Sequence, residues 1–291
     1  MLRWRLLLGT LIIAALVGLC WLDAKAAAPG LWLLCIALPA TILATQEVLK
    51  LLAALGLRPL PELILPLNLV WVLYVWMTEY NMAALVPAFS VAQWNLLWEL
   101  KYVLVVMLIF LVEMARYRGP GTSVKNIAGG LLAWSYVAVM LGYAVMLRMS
   151  FGLGVLAVWI IAVKLGDTGA YFCGSLWGRH KLAPLLSPGK TIEGALGGLL
   201  FSCFGAWAAG RVLLMDSNLL PRLVWWHWLL FGLLVGAGGI LGDLAESLLK
   251  RDAGRKDSSD WMPGFGGTLD ILDSLLFSAP IALLYWKVLV G

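Results

Sequence analysis

A chain of 291 residues that is 62% hydrophobic and only 13% charged cannot hide its apolar surface in a water-soluble core, where about 25% charge is usual. The bilayer has to be its solvent, and unbroken apolar runs such as 103–112 and 229–235 select helices over a barrel, whose strands alternate in polarity. The net charge of +5 acts on membrane orientation and attracts anionic headgroups or nucleotide phosphates; no nucleic-acid partner is expected.

Spans of the length a bilayer demands are expected near residues 5–22, 31–55, 63–78, 101–116, 128–148, 152–172, 194–214, 224–242 and 270–290. The fold class is therefore all-α: a polytopic membrane protein of about nine transmembrane helices with a polar site facing the cytoplasm. The basic start at Met1–Arg5 suits a signal peptide, but no small-residue cleavage site precedes Asp23, so the first run is read as a span. Basic residues gather before the first span (Arg3, Arg5), after the fourth (Arg116, Arg118, Lys125), after the sixth (Arg179, Lys181, Lys190) and after the eighth (Lys250, Arg251, Arg255, Lys256). An internal N-terminus puts all of these in the cytoplasm, as the positive-inside rule requires. The mixed stretch 79–99 then reads as external and interfacial, and the C-terminus as external. Cys20, Cys35, Cys173 and Cys203 sit in apolar runs without metal-site spacing and read as small buried hydrophobes.

Residues 1–150 have few internal charges and read as a transmembrane scaffold, whereas 151–291 read as the catalytic region. Its first polar segment is Lys164-Leu-Gly-Asp-Thr-Gly-Ala-Tyr171. An ionisable group within an apolar helix is costly, so Asp167 is expected to face a cavity or a partner, and Lys164, one turn away, is the available partner. The second segment places Ser187-Pro-Gly-Lys190-Thr191 just before a helix. Backbone N–H groups at a helix start beside a lysine make a phosphate seat. The P-loop pattern fails, because Pro184 stands where its first glycine belongs and no strand is expected before it. Thr191 and Glu193 suit helix capping or a nucleotide contact.

The third segment runs from Gly242 through Asp257, then from Pro263 to Ser274. Asp243, Glu246 and Lys250 fall on one helical face, and Asp270 and Asp273 are three apart at the entrance of the last span. Carboxylates brought together this way repel unless a cation lies among them, and oxygen ligands with phosphates nearby suit Mg²⁺. Lys250, Arg251 and Lys256 supply positive charge for phosphates, and Gly266 and Gly267 permit close backbone approach. The chemistry pointed to is metal-assisted phosphoryl or nucleotidyl transfer.

These residues resemble the signature of the phosphatidate cytidylyltransferase (CDP-diacylglycerol synthase) family. Ser247, Lys250, Arg251, Lys256, Asp257, Pro263, Gly266, Gly267, Asp270 and Asp273 stand at matching positions, and the Asp167–Tyr171 and Ser187–Gly194 stretches resemble family elements in the family's order. Two departures are plain: Phe265 stands where the signature has histidine, and Ile271 where it has arginine. The resemblance covers roughly residues 160–290. It implies transfer of the cytidylyl group of CTP to phosphatidate, giving CDP-diacylglycerol and pyrophosphate. It implies metal ligation by Asp243, Asp270 and Asp273, catalysis by these and Lys250, and substrate contacts from Asp167, Lys190, Thr191, Glu193, Ser247, Arg251, Lys256, Gly266 and Gly267. The expected cofactor is Mg²⁺, with a second cation allowed. The expected partners are CTP, phosphatidate and membrane lipid, a homodimer being allowed, and the expected location is the inner (plasma) membrane. The alternatives are a CTP-dependent enzyme for another lipid acceptor and a membrane transporter, although a transporter would place its polar groups near the midplane rather than at one face.

Overall fold

The computed structural model describes residues 2–80, 91–215, 224–262 and 266–289. Helices α1 (Leu2–Lys25), α2 (Leu31–Ala54), α3 (Pro61–Glu79), α4 (Val91–Ala115) and α5 (Ser123–Ala133) come first. A π-helical stretch, Trp134–Val139, runs on into α6 (Met140–Trp177). A hairpin of β1 (Lys181–Ala183) and β2 (Ser187–Thr191) then leads into α7 (Ile192–Leu213), followed by α8 (Trp225–Asp252) and α9 (Thr268–Leu289).

Among the described residues, six helical stretches are long and apolar enough to cross a membrane, so the chain is an all-α, multi-pass membrane protein. One of them, Ser123–Trp177, has 55 residues and a length sufficient for two crossings. It breaks at Gly152, whose φ of 87° and ψ of 177° lie outside the helical region and suit only glycine. That is where the expected fifth and sixth spans part. The expected span 5–22 lies within α1, and 101–116 lies within α4 except for its last residue. Of the stretch 79–99 expected at the external interface, residues 81–90 lie outside the described residues, and α4 begins within it at Val91.

Two sequence expectations change in detail. No strand is expected before Pro184, yet the second polar segment contains an antiparallel hairpin with Lys181 opposite Thr191 and Ala183 opposite Ser187. The eighth span does not stop at residue 242, because α8 continues to Asp252 and keeps Asp243, Glu246 and Lys250 helical. The four cysteines are all free, but only Cys173 and Cys203 are buried, Cys35 being exposed.

The chain divides into two compact units, one of Leu6–Val145 and one of Met1–Arg5 with Met146–Gly291. In the first, the Asp23 carboxylate accepts from Gly30 N (3.1 Å) and Trp32 N (3.3 Å), satisfying donors at the start of α2. Buried Asn68 on α3 donates to Thr45 Oγ1 on α2 at 2.8 Å. A polar pair of this kind joins helices where lipid gives no hydrophobic drive to associate.

In the second unit α8 packs along both α7 and α9. Small residues set the spacing. A Cβ at Gly232 would collide with the Cys203 backbone of α7, and one at Gly242 with the Asp273 carbonyl of α9. Close backbone approach replaces the hydrophobic effect as the source of packing here. Trp286 closes this unit against Phe231, Trp228 and Phe151, and Tyr285 donates from its hydroxyl to His227 O at 2.8 Å. The contact at Gly242 matters for function, because it brings the acidic stretch of α8 against the first turns of α9.

Candidate active site

The α8–α9 contact converges three carboxylates. Asp243, Glu246 and Asp273 each present an oxygen within 4.8 Å of the others. Glu246 is fully buried and Asp273 only 7% exposed. Glu246 Oε1 has no hydrogen-bond partner among the described residues, and an unmatched buried carboxylate oxygen is costly. Three carboxylates this close repel one another, and a cation among them relieves both penalties. The set is all oxygen, so its chemistry fits a hard divalent ion such as Mg²⁺.

Asp270 sits one partner further along. Its Oδ1 accepts from Lys250 Nζ at 2.6 Å, and Lys250 also donates to Glu246 Oε2 at 2.7 Å. The other oxygen, Oδ2, accepts from Ser258 N (3.0 Å), Ser258 Oγ (2.5 Å) and Gly267 N (2.8 Å). The stretch from Glu246 to Asp270 therefore folds so that Lys250, itself buried, bridges Glu246 to Asp270. Gly266 and Gly267 wrap the Asp270 carboxylate. Gly266 has a φ of 84°, and a Cβ there would stand 2.7 Å from Asp270 Oδ2. Backbone approach was expected toward a ligand; the group approached is this side chain. Pro263 and Phe265 lie outside the described residues, so the histidine-to-phenylalanine departure carries no structural account.

Beside the carboxylates is a cavity of about 450 Å³, a size typical of small-molecule sites. Its walls come from α6 (Asp167, Tyr171), the hairpin (Ser187, Lys190, Thr191), α7 (Gly194) and α8 (Asp243). Asp243 belongs to both cavity and carboxylate group. Lys190 reaches across from β2 to make an ion pair with Asp243 Oδ2 at 2.8 Å. Close α6–α7 packing forms the floor: a Cβ at Gly198 would stand 3.0 Å from Gly166 O.

The remaining sequence-selected residues hold this frame. Thr191 caps α7, its Oγ1 accepting from Gly194 N at 3.1 Å. Glu193 accepts from Arg179 N (3.1 Å) and His180 N (3.2 Å) and pairs with His180 Nδ1 at 2.6 Å, fastening the turn before β1. Ile192 N donates to His180 O at 2.9 Å. The expected phosphate seat at this helix start thus has two of its N–H groups, Ile192 and Gly194, already engaged by the chain itself. Arg251 Nε donates to Leu186 O at 3.2 Å, tying the hairpin loop to α8. Ser247 is buried on α8, and Lys256 is exposed in the bend after it, away from the cavity lining. Lys164 donates to Asp167 Oδ2 at 3.1 Å, as the sequence spacing suggested.

Sequence reasoning placed Glu246 on the acidic face without giving it a role, and did not single out Ser258. The i, i+3 spacing from Asp243 was the available signal for Glu246. Ser258 lies in irregular chain, where no periodicity points inward.

The profile of the cytidylyltransferase family matches residues 4–289. A Synechocystis protein named phosphatidate cytidylyltransferase is 31% identical over 268 residues, covering 82% of this chain and 83% of its own. Proteins of the same name from Staphylococcus saprophyticus and Haemophilus influenzae are 39% and 40% identical, over 52% and 44% of this chain. The chain spans about half the length of these last two, 55% and 44%.

Proposed function

Since the chain belongs to the cytidylyltransferase family, we propose that it transfers the cytidylyl group of CTP to phosphatidate, forming CDP-diacylglycerol for phospholipid synthesis. The observation that carries this reading is the group of buried Glu246 and Asp273 with part-exposed Asp243, opening through Asp243 onto a cavity that Lys190 also lines. The relatives' name supplies the substrates, and the chemistry of the site accommodates them.

Five carboxylates (Asp167, Asp243, Glu246, Asp270, Asp273) and three ammonium groups (Lys164, Lys190, Lys250) meet here. With all of them ionised, two negative charges remain, the amount one divalent cation balances. Asp243, Glu246 and Asp273 would hold Mg²⁺, with Asp270 one lysine removed. When bound, the ion would neutralise phosphate charge as pyrophosphate departs. Lys190 exchanges Asp243 for a nucleotide phosphate, and Lys250 keeps Glu246 and Asp270 in place. A phosphatidate oxygen forms the new bond to the α-phosphorus of CTP while the bond between the α-phosphorus and the bridging oxygen breaks. The electron pair leaves on pyrophosphate. A phosphate monoester is largely ionised at neutral pH, its second pKa being about 6, so the attacking oxygen needs no strong base. This makes the histidine absent at Phe265 dispensable.

Residues 151–291 carry this chemistry on a scaffold of residues 1–150. In this reading the cavity faces the cytoplasmic side of the inner membrane, where CTP is found, and the basic clusters along the sequence support that orientation. Label transfer tests the reaction class. With α-labelled CTP, label should pass to the lipid fraction only when phosphatidate is present; with γ-labelled CTP it should appear in pyrophosphate. Label entering lipid with an isoprenoid phosphate but not with phosphatidate would reassign the acceptor.

A further inference from the structure

Lys164 is a charged residue of this unit that the proposed chemistry does not use directly. It is set in the apolar helix α6, where an ammonium group is costly unless it is fully engaged. All three of its N–H donors are spent: on Asp167 Oδ2 (3.1 Å), on the Ile271 carbonyl (2.8 Å) and on Ser274 Oγ (2.9 Å). Ser274 in turn donates to Asp167 Oδ2 at 2.9 Å, and its backbone N–H donates to Asp273 Oδ1. The charged groups acting on Asp273 include the carboxylates Asp243 and Asp167 and the ammonium of Lys164. The carbonyl it binds belongs to residue 271, where this chain has isoleucine and the family signature has arginine.

We infer that Lys164 is a positioning residue that acts through its charge: fixed by Asp167, Ser274 and the Ile271 carbonyl, its ammonium supplies from α6 the positive charge absent at Ile271 and so limits how tightly the carboxylate group holds a cation. The inference rests on the reading of the site as a cation-dependent cytidylyltransferase. A purely apolar side chain at 164 would pack in α6 at lower cost. With all five carboxylates ionised around a bound divalent ion, the lysine leaves two negative charges to balance it; without the lysine, three would remain.

The test uses purified full-length protein in detergent, with Mn²⁺ as probe. Affinity is measured by electron paramagnetic resonance without substrates, and CDP-diacylglycerol turnover is measured separately. Lys164→Met and Lys164→Gln both remove the charge, and the second keeps a hydrogen-bond donor in case the first fails to fold. Each should bind Mn²⁺ about tenfold more tightly while turning over about tenfold more slowly. Adding Ile271→Arg to either should return both quantities to within about threefold of wild type, because the charge is restored from α9. Lys164→Arg should keep both near wild type. Loss of packing alone would weaken Mn²⁺ binding or leave it unchanged, and it would not be repaired by Ile271→Arg; either result overturns the inference. If wild-type protein forms no product but the Mn²⁺ shift and its reversal occur, the positioning role stands and the reaction assignment falls. If wild type is active and Mn²⁺ affinity does not move, the reverse holds.

Discussion

Glu246 carries an oxygen that is buried and unmatched among the described residues, so its removal separates metal holding from folding. Glu246→Gln and Asp243→Asn should each lower turnover by about a hundredfold or more, with weaker Mn²⁺ binding in the same samples. Wild-type Mn²⁺ affinity in both would dissolve the proposed ligand set. Gly266 gives a second residue-scale prediction. Gly266→Ala forces a Cβ to within 2.7 Å of Asp270 Oδ2 on a backbone with φ of 84°, and should cost about 1–3 kcal/mol, read as a lower thermal midpoint. No change in midpoint would mean that the loop wraps Asp270 less tightly. Most of these residues were legible in the sequence because charge stands out in an apolar chain: Asp167, Lys190, Asp243, Lys250, Asp270 and Asp273 could be picked out before any geometry was known. What each one touches was not legible. Whether Asp270 meets the other acids or the loop after α8 depends on Ser258 and Gly267, twelve and three residues away, and spacing does not encode the fold of an irregular loop.

Helix existence could be read with little ambiguity, since runs of about 20 apolar residues have few other uses. The hairpin could not: Ser187-Pro-Gly-Lys-Thr191 has too few β-branched residues to read as a strand. It forms because Thr191 caps α7, Glu193 fastens the preceding turn and Arg251 holds the loop from α8. This element presents Lys190 to Asp243. Thr191→Val should therefore cost about 1 kcal/mol of stability through the lost cap and raise the KM for CTP more than it lowers kcat. A change confined to kcat would place the hairpin outside nucleotide binding. The α8–α9 pair depends on Gly242, where a larger side chain meets Asp273 O. Gly242→Leu should separate the helices and abolish Mn²⁺ binding even where the protein still inserts; retained Mn²⁺ affinity would show that the carboxylates do not need this contact.

For the molecule as a whole, the proposal joins a cytoplasmic nucleotide to a lipid in the membrane, and this demands that the cavity open on one side only. The basic clusters predict which side. In a variant lacking the native cysteines, Lys181→Cys and Arg118→Cys should both react with a membrane-impermeant maleimide only when the cytoplasmic face is exposed. Labelling of Lys181→Cys from the outside would reverse the orientation and separate the cavity from CTP. The expected side rests on the charge distribution along the chain, which sequence displays directly. The gathering of α6, the hairpin, α7, α8 and α9 around one cavity follows from glycine contacts that composition alone does not reveal.

The most direct measurement is CDP-diacylglycerol formation by the purified protein from CTP and phosphatidate, titrated with Mg²⁺ and repeated with Asp243→Asn. The account predicts product that is absent in chelator, rises with Mg²⁺ and is lost in the variant. Folded wild-type protein that forms no product at any Mg²⁺ concentration, or a variant as active as wild type, would contradict it.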